Sequence, residues 1–289
     1  MPDRILTIHQ DHRRSFADNR YVYAVVSRRS KGVSIGINLN PDKICNFDCI
    51  YCQADRMTPA VIRDVDMGRL QEELEDMLDL VMTGKLFDME RFRETPPALR
   101  RLNDIAFSGD GEPTTFPKFF EAVQMAAAVK ALWKLPEVKL VLITNATMFQ
   151  KPKVQAGLAL LNSSNGEIWA KLEAGTEAYY QQVDRTTIPF QRVLNNITTE
   201  AGRAPLVIQA MFLRIHDQPP SEGELQAFCE RLNEIVLVGG QIKLVQIYTV
   251  ARVPAETYVS PLSQMEVDQI VEMVQRRTKL RAEAFYGPE

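Results

Sequence analysis

The chain has 289 residues, 45% hydrophobic and 25% charged, ordinary values for a globular protein. Lys and Arg number 34 against 37 Asp and Glu, a formal net charge of −3 that argues against wrapping nucleic acid by phosphate neutralisation. Residues 1–20 are polar, with no apolar core for a signal peptide, and no apolar run approaches the roughly 20 residues of a membrane span, so a cytoplasmic protein without membrane association is expected.

In chain order, Arg28, Arg29 and Lys31 read as a solvated turn, and Gly32–Leu39 as the first strand. The segment PDKICNFDCIYCQADR follows, with Cys45, Cys49 and Cys52 spaced C-x3-C-x2-C. A helix is expected near Asp66–Thr83, with Leu70, Leu74, Met77, Leu78 and Val81 on one face and Gly84 suited to its end. A polar stretch with Pro96 and Pro97 leads to the strand Asp104–Phe107. A helix over about Pro117–Trp133 and the β-branched strand Val138–Thr144 come next. The alternation repeats with a helix over Val154–Leu161, a strand over Glu167–Leu172, one or two helical turns around Phe190–Thr199 and a strand over Leu206–Leu213. Cys229 falls among Leu225, Phe228, Leu232 and Ile235 at helical spacing, the setting of a buried, inert cysteine. After the strand Gln241–Val250, the last helix opens at Ser263 with Glu266 three residues on, a capping box, and buries Val267, Ile270, Val271 and Val274.

This makes about six βα units of roughly 30–50 residues each, which predicts an α/β fold with a parallel sheet and outer helices. Six units are too few for a closed eight-fold barrel, which leaves a partial barrel or a doubly wound sheet; either places the site at the C-terminal ends of the strands. No low-complexity linker interrupts the pattern. Residues 1–289 therefore read as a single domain, with an N-terminal extension over 1–30, a core over about 31–275 and a tail over 276–289.

Three of the four cysteines lie within eight residues, and in a reducing compartment such clustering points to metal or redox chemistry. Three thiolates on a short loop can cap three irons of a cubane and leave the fourth open, as catalytic metal sites require. Zinc would want a fourth Cys or His nearby, whereas His216 and Cys229 are far along the chain.

The C-x3-C-x2-C loop with an aromatic residue, Tyr51, before its last cysteine resembles the radical S-adenosylmethionine (SAM) superfamily. The resemblance runs from about Tyr21 to Met273. It implies a partial (β/α)6 TIM-like barrel, a [4Fe-4S] cluster on Cys45, Cys49 and Cys52, and SAM bound at its open iron. Reductive cleavage of SAM would give methionine and a 5′-deoxyadenosyl radical that abstracts hydrogen from substrate. An electron donor such as flavodoxin or ferredoxin is implied as partner. SGDGEPTTFP resembles the family's Gly-Gly-Glu segment and assigns Gly109, Asp110, Gly111 and Glu112 to SAM, the glycines admitting close backbone approach; a Gly-Pro turn is the bland alternative. Thr144 and Asn145 match a Thr-Asn pair found at the site, with helix capping as the alternative. The resemblance places Lys171 near the SAM carboxylate and Glu173 at the ribose hydroxyls, against a simple ion pair. Gln209, Gln246, Tyr248 and Arg252 are assigned to the same mouth or to substrate.

Within the superfamily, SRRSKGVSIGINLNPDKICNFDCIYCQ and FSGDGEPT are most similar to the wyosine-base synthase group and its uncharacterised bacterial relatives. That group modifies a guanine in tRNA with pyruvate and a second cluster on further N-terminal cysteines; residues 1–44 here hold no cysteine. The leading expectation is therefore a single-cluster enzyme acting on a small molecule or biosynthetic intermediate. A tRNA-modifying enzyme of the wyosine-synthase type, a glycyl-radical activase and a non-catalytic iron–sulfur redox sensor are the alternatives.

Overall fold

The computed structural model describes residues 16–55 and 57–287, so the first half of the expected N-terminal extension lies outside the described residues. Their contacts gather into two compact units. The first comprises 16–45, 55–143 and 151–167, and the second 46–54, 144–150 and 168–287.

The first unit opens with a hairpin. β1 (Val22–Ser27) and β2 (Gly32–Ile37) pair antiparallel through the turn at 28–31, where Lys31 takes a left-handed conformation (φ 59°). Every residue of both strands is buried, so neither shows the alternation by which a half-exposed strand is read. Tyr23 packs its ring where Gly36, its cross-strand partner, has no side chain: a Cβ there would overlap the ring. The Tyr23 hydroxyl meets Ser108 Oγ at 3.0 Å, which ties the hairpin to the loop after β3.

α1 (Met67–Met82) begins at Asp66, whose carboxylate accepts from the amides of Gly68 and Arg69, and buries the apolar face expected of it. Its Glu73 is also buried, because the carboxylate accepts from the backbone amides of Arg20, Tyr21 and Val22 and from Arg69 Nε. β3 (Leu102–Phe107) and β4 (Lys139–Thr144) extend the sheet in parallel from β2. α2 (Phe119–Leu132) and α3 (Pro152–Ser163) return the chain, and Gly157 lets them close on Phe119.

In the second unit β5 (Gly166–Lys171), β6 (Leu206–Met211), β8 (Ile242–Tyr248) and β10 (Ala282–Phe285) are parallel neighbours. Lys171, Gln209, Gln246 and Glu283 stand side by side across the four strands. Aligned residues of a parallel sheet share a face, so one polar row crosses this one. α4 (Glu177–Asp184), α5 (Phe190–Ala201), α6 (Glu222–Leu237) and α7 (Gln264–Thr278) connect the strands, and a small antiparallel pair is formed by β7 (Leu213–Ile215) and β9 (Val259–Pro261). Cys229 on α6 is 2% exposed, and its neighbour Phe228 meets Phe212 edge to face with ring centroids 5.2 Å apart. The Ser263–Glu266 capping box forms as expected. β1 lies in the stretch that reads as an extension and β10 in the one that reads as a tail. The sequence pattern does not predict α4, and α5 is a full helix rather than one or two turns.

No helix among the described residues is long and apolar enough to cross a membrane.

Candidate functional site

The portion of the cysteine loop in the second unit, residues 46–54, has no regular structure, so its polar backbone must find partners elsewhere. The amides of Asp48 and Ile50 donate to the carbonyls of Asp184 (3.1 Å) and Val183 (2.9 Å), and the amide of Cys52 to the carbonyl of Cys49 (3.0 Å). Asn46 is held by its side chain: its Nδ2 donates to Thr147 Oγ1 at 2.7 Å, and its Oδ1 accepts from Asn145 Nδ2 at 2.7 Å. The Thr147 hydroxyl closes the ring onto Asn145 Oδ1 at 2.7 Å. Thr144 Oγ1 accepts from the amide of Ala146, which takes a left-handed conformation (φ 60°). Thr144 and Asn145, assigned to SAM from the sequence, thus shape the turn that carries the loop.

Cys45, Cys49, Cys52 and Cys229 form no disulfide. Cys45 and Cys52 are half-buried; Cys49 is buried, and its Sγ donates to Asp184 Oδ1 at 3.3 Å. Burial first, then the neighbouring Asp184, push the Cys49 pKa well above that of an ordinary thiol. Asp184 is likewise shifted well upward, by burial and by Glu173.

Next to Cys49 stands a buried polar group built on three elements. The Tyr51 hydroxyl donates to Glu173 Oε2, Tyr248 at the end of β8 donates to Glu173 Oε1 at 3.1 Å, and Lys171 Nζ donates to Tyr51 Oη at 3.0 Å. The Lys171 ammonium also lies 4.9 Å from the centroid of the Tyr51 ring and 3.8 Å from Glu173 Oε1. Burial works against that ammonium, but Glu173 and then Tyr248 outweigh it, so its pKa ends above the usual lysine value. Lys171 is therefore a fixed cation and Glu173 the acceptor of two phenols, a more connected arrangement than an isolated ion pair.

In the same cross-strand row as Lys171, Gln209 Nε2 donates to Gln246 Oε1 at 2.9 Å; both glutamines are buried, and Gln209 Oε1 has no hydrogen-bond partner among the described residues. Arg252 lies beyond β8, half-buried.

The SGDGEPTTFP segment belongs to the first unit. Asn38, just past β2, donates from Nδ2 to Asp110 Oδ2 at 2.7 Å and accepts the Asp110 amide at 3.2 Å. Both glycines are required sterically. A Cβ on Gly109 would overlap Asn38 Oδ1, and one on Gly111 would overlap the carbonyl oxygen of Ile44. Glu112 is buried, and its carboxylate accepts from the amide of Thr114 at 3.1 Å and from the Thr114 hydroxyl, capping the short 3-10 turn Pro113–Thr115.

The donor set fits an iron–sulfur cluster, since three cysteines outside any disulfide lie within eight residues and cluster irons take cysteine thiolates. Ligation would replace the present contact of Cys49 with Asp184 and release its proton. Cys49 Sγ and carboxylate oxygens of Glu173 and Asp184 also lie within 4.8 Å of one another, as a single divalent ion would need. The Lys171 ammonium beside Glu173 opposes such an ion. Asp184, Asn46, Thr147 and Asn38 are not recognisable in the sequence, because each acts through a partner distant along the chain and none belongs to a local pattern.

No family model matches the chain. It is 23% identical over 220 residues to a UPF0026 protein of Helicobacter pylori strain 26695, a match that covers 73% of this chain and 63% of that protein. A UPF0026 protein of Helicobacter pylori strain J99 is 25% identical over 177 residues, covering 61% and 49%. The chain thus matches between half and two thirds of the length of these curated relatives. Among solved structures it resembles TYW1 with a lysine–pyruvate adduct bound, with a TM-score of 0.52, 15% identity, and coverage of 86% of this chain and 74% of that one. It also resembles a point mutant of spore photoproduct lyase, with a TM-score of 0.59, 10% identity, and coverage of 93% and 81%. At these identities the likeness is one of fold. It agrees with the partial TIM-like α/β class and with the resemblance to the wyosine-synthase group and its uncharacterised relatives.

Proposed function

We propose that the protein is a radical SAM enzyme carrying one [4Fe-4S] cluster on Cys45, Cys49 and Cys52 and acting on a small molecule or biosynthetic intermediate. The observation that carries this reading is the C-x3-C-x2-C loop leading, through Tyr51, into the buried group of Lys171, Glu173 and Tyr248. Both fold neighbours are radical SAM enzymes, which supports it. When bound and reduced, the cluster supplies the electron that cleaves SAM.

The chain's own residues contribute binding and orientation. Lys171 offers a permanent cation to a carboxylate, and Glu173 a carboxylate to paired hydroxyls once the phenols yield it. The turns at Gly109–Glu112 and Thr144–Thr147 present backbone groups, the first through glycines with no room for a Cβ and the second through the hydrogen bonds of Thr144 and Asn145. The physiological reductant is a small electron carrier such as flavodoxin or ferredoxin.

The three loop cysteines and Cys229 are the only ones in this chain, which favours the small-molecule reading over wyosine-type chemistry with its second cluster.

The test is anaerobic incubation of reconstituted, dithionite-reduced protein with SAM, followed by chromatography. The expected products are 5′-deoxyadenosine and methionine. No nucleoside above a Cys49→Ala control overturns the enzyme reading and leaves the redox-sensor alternative.

A further inference from the structure

We propose that the turn at the end of α4, Asp184-Arg185-Thr186, is a clamp that positions the cysteine loop for ligation, with Arg185 as its central positioning residue; this rests on the cluster reading above. The backbone of the loop is gripped at alternate residues on either side of Cys49. The Asp48 and Ile50 amides donate to the carbonyls of Asp184 and Val183, and the hydroxyl of Thr186 donates to the carbonyl of Asn46 at 3.0 Å. Arg185 Nε donates to the carbonyl of Asp48 at 2.6 Å, and NH2 pairs with the carboxylate of Asp48 at 3.1 Å. NH1 pairs with Glu256 Oε1 at 2.5 Å, while the Glu256 amide donates to the carbonyl of Ile50 at 3.1 Å. One guanidinium thus joins both sides of the loop backbone.

Two features distinguish this arrangement from an ordinary surface ion pair. Arg185 sits in the left-handed region (φ 43°), a conformation that a non-glycine residue adopts at a cost and that here turns the chain from the helix toward the loop. Its three contacts also use the planar fork of the guanidinium, which a lysine ammonium cannot reproduce. Helix capping alone does not account for the side chain, because the Arg185 amide already closes α4 on the carbonyl of Gln181 at 3.1 Å. The charged partners are partly exposed, so the grip contributes modestly to global stability and acts mainly on loop geometry.

The experiment compares Arg185→Leu, Arg185→Lys and Thr186→Val with the native protein, and uses Arg214→Leu, which breaks an ion pair with Glu266 in the same unit, as control. Iron content, the rate of iron loss to EDTA and the electron paramagnetic resonance spectrum of the reduced cluster are read after anaerobic reconstitution. Hydrogen exchange at the Asp48 and Ile50 amides is read in the cluster-free chain. Arg185→Leu is expected to lose iron about 10-fold faster, with altered line shape and faster exchange at both amides. Arg185→Lys should be intermediate, Thr186→Val two- to three-fold faster, and Arg214→Leu native. Native iron retention and line shape in Arg185→Leu overturn the clamp alone. A native chain that takes up no iron overturns the cluster reading and the clamp with it.

Discussion

The hydroxyl of Tyr248 donates to Glu173 at 3.1 Å, so a carboxylate that follows β5 is fixed from β8, two strands away in the order β5-β6-β8. Removing the carboxylate strands the half-buried Lys171 ammonium and two phenols at once. Glu173→Ala is therefore expected to destabilise the fold by about 3–5 kcal/mol, the scale for breaking a buried pair. Tyr248→Phe should cost only about 1 kcal/mol. Urea unfolding gives both values. On the proposed function, Glu173→Gln, which preserves shape, should raise the apparent Kd for SAM roughly 10-fold by equilibrium dialysis at full iron content. Native SAM affinity in that variant sinks the assignment of Glu173 to SAM.

Iron stoichiometry separates the cysteines. Reconstituted protein should hold about four irons and four sulfides per chain, and alanine at Cys45, Cys49 or Cys52 should abolish most of the uptake. Cys229→Ala should leave it unchanged, because that thiol is on a buried position of α6. About eight irons in the native chain, or loss of iron with Cys229, counts against one cluster.

Asp104 gives a pH signature. Its carboxyl is 2% exposed on β3, and burial raises its pKa from 3.8 to about 6 although Ser34 donates a hydrogen bond to it. The native state therefore binds this proton more tightly than the unfolded state. The contribution is most favourable below about pH 4 and is lost as pH rises to about 6, with no further change above. The full shift corresponds to at most roughly 3 kcal/mol. Asp104→Asn should flatten the pH 4–6 slope and raise stability at pH 7 by about 1–3 kcal/mol, measured by urea titration at several pH values. Equal slopes in the two proteins would exclude Asp104 as the cause.

Gly111 and Gly223 make a matched steric pair. A methyl on Gly111 overlaps the carbonyl oxygen of Ile44 and meets Asn40 at 2.8 Å, both hard to displace. Gly111→Ala should cost about 1–3 kcal/mol and, through Ile44, disturb iron uptake at Cys45. On helix α6, a methyl at Gly223 meets only Ser221 Oγ at 3.9 Å, so Gly223→Ala should stabilise by about 0.5–1 kcal/mol. Thermal melts of both variants decide the matter.

The elements legible in the sequence are those whose pattern is local. α1 shows one apolar face, the last helix shows its capping box, and Cys229 sits at core spacing. β1 has no alternation because both its faces are buried, and α4 offers only Tyr180, Val183 and the helix-ending Asp184 as buried positions in eight residues. In the site, the cysteine loop and its glycine-rich companion stand out by composition. What holds the loop does not, since Asp184 meets Cys49 across 135 residues of chain. Glu112 stands out in its segment, but the turn that its carboxylate caps does not.

The separation between the loop and its clamp also orders events during synthesis. Cys49 leaves the ribosome 135 residues before Asp184, an interval of roughly 7–27 s at ordinary elongation rates. Glu256 follows later still. Until then the thiols are tethered to a growing chain whose anchoring residues do not yet exist, and any metal they meet finds three unconstrained sulfurs. A delivery factor that acts on the finished polypeptide therefore encounters a different substrate from one that acts on the nascent chain.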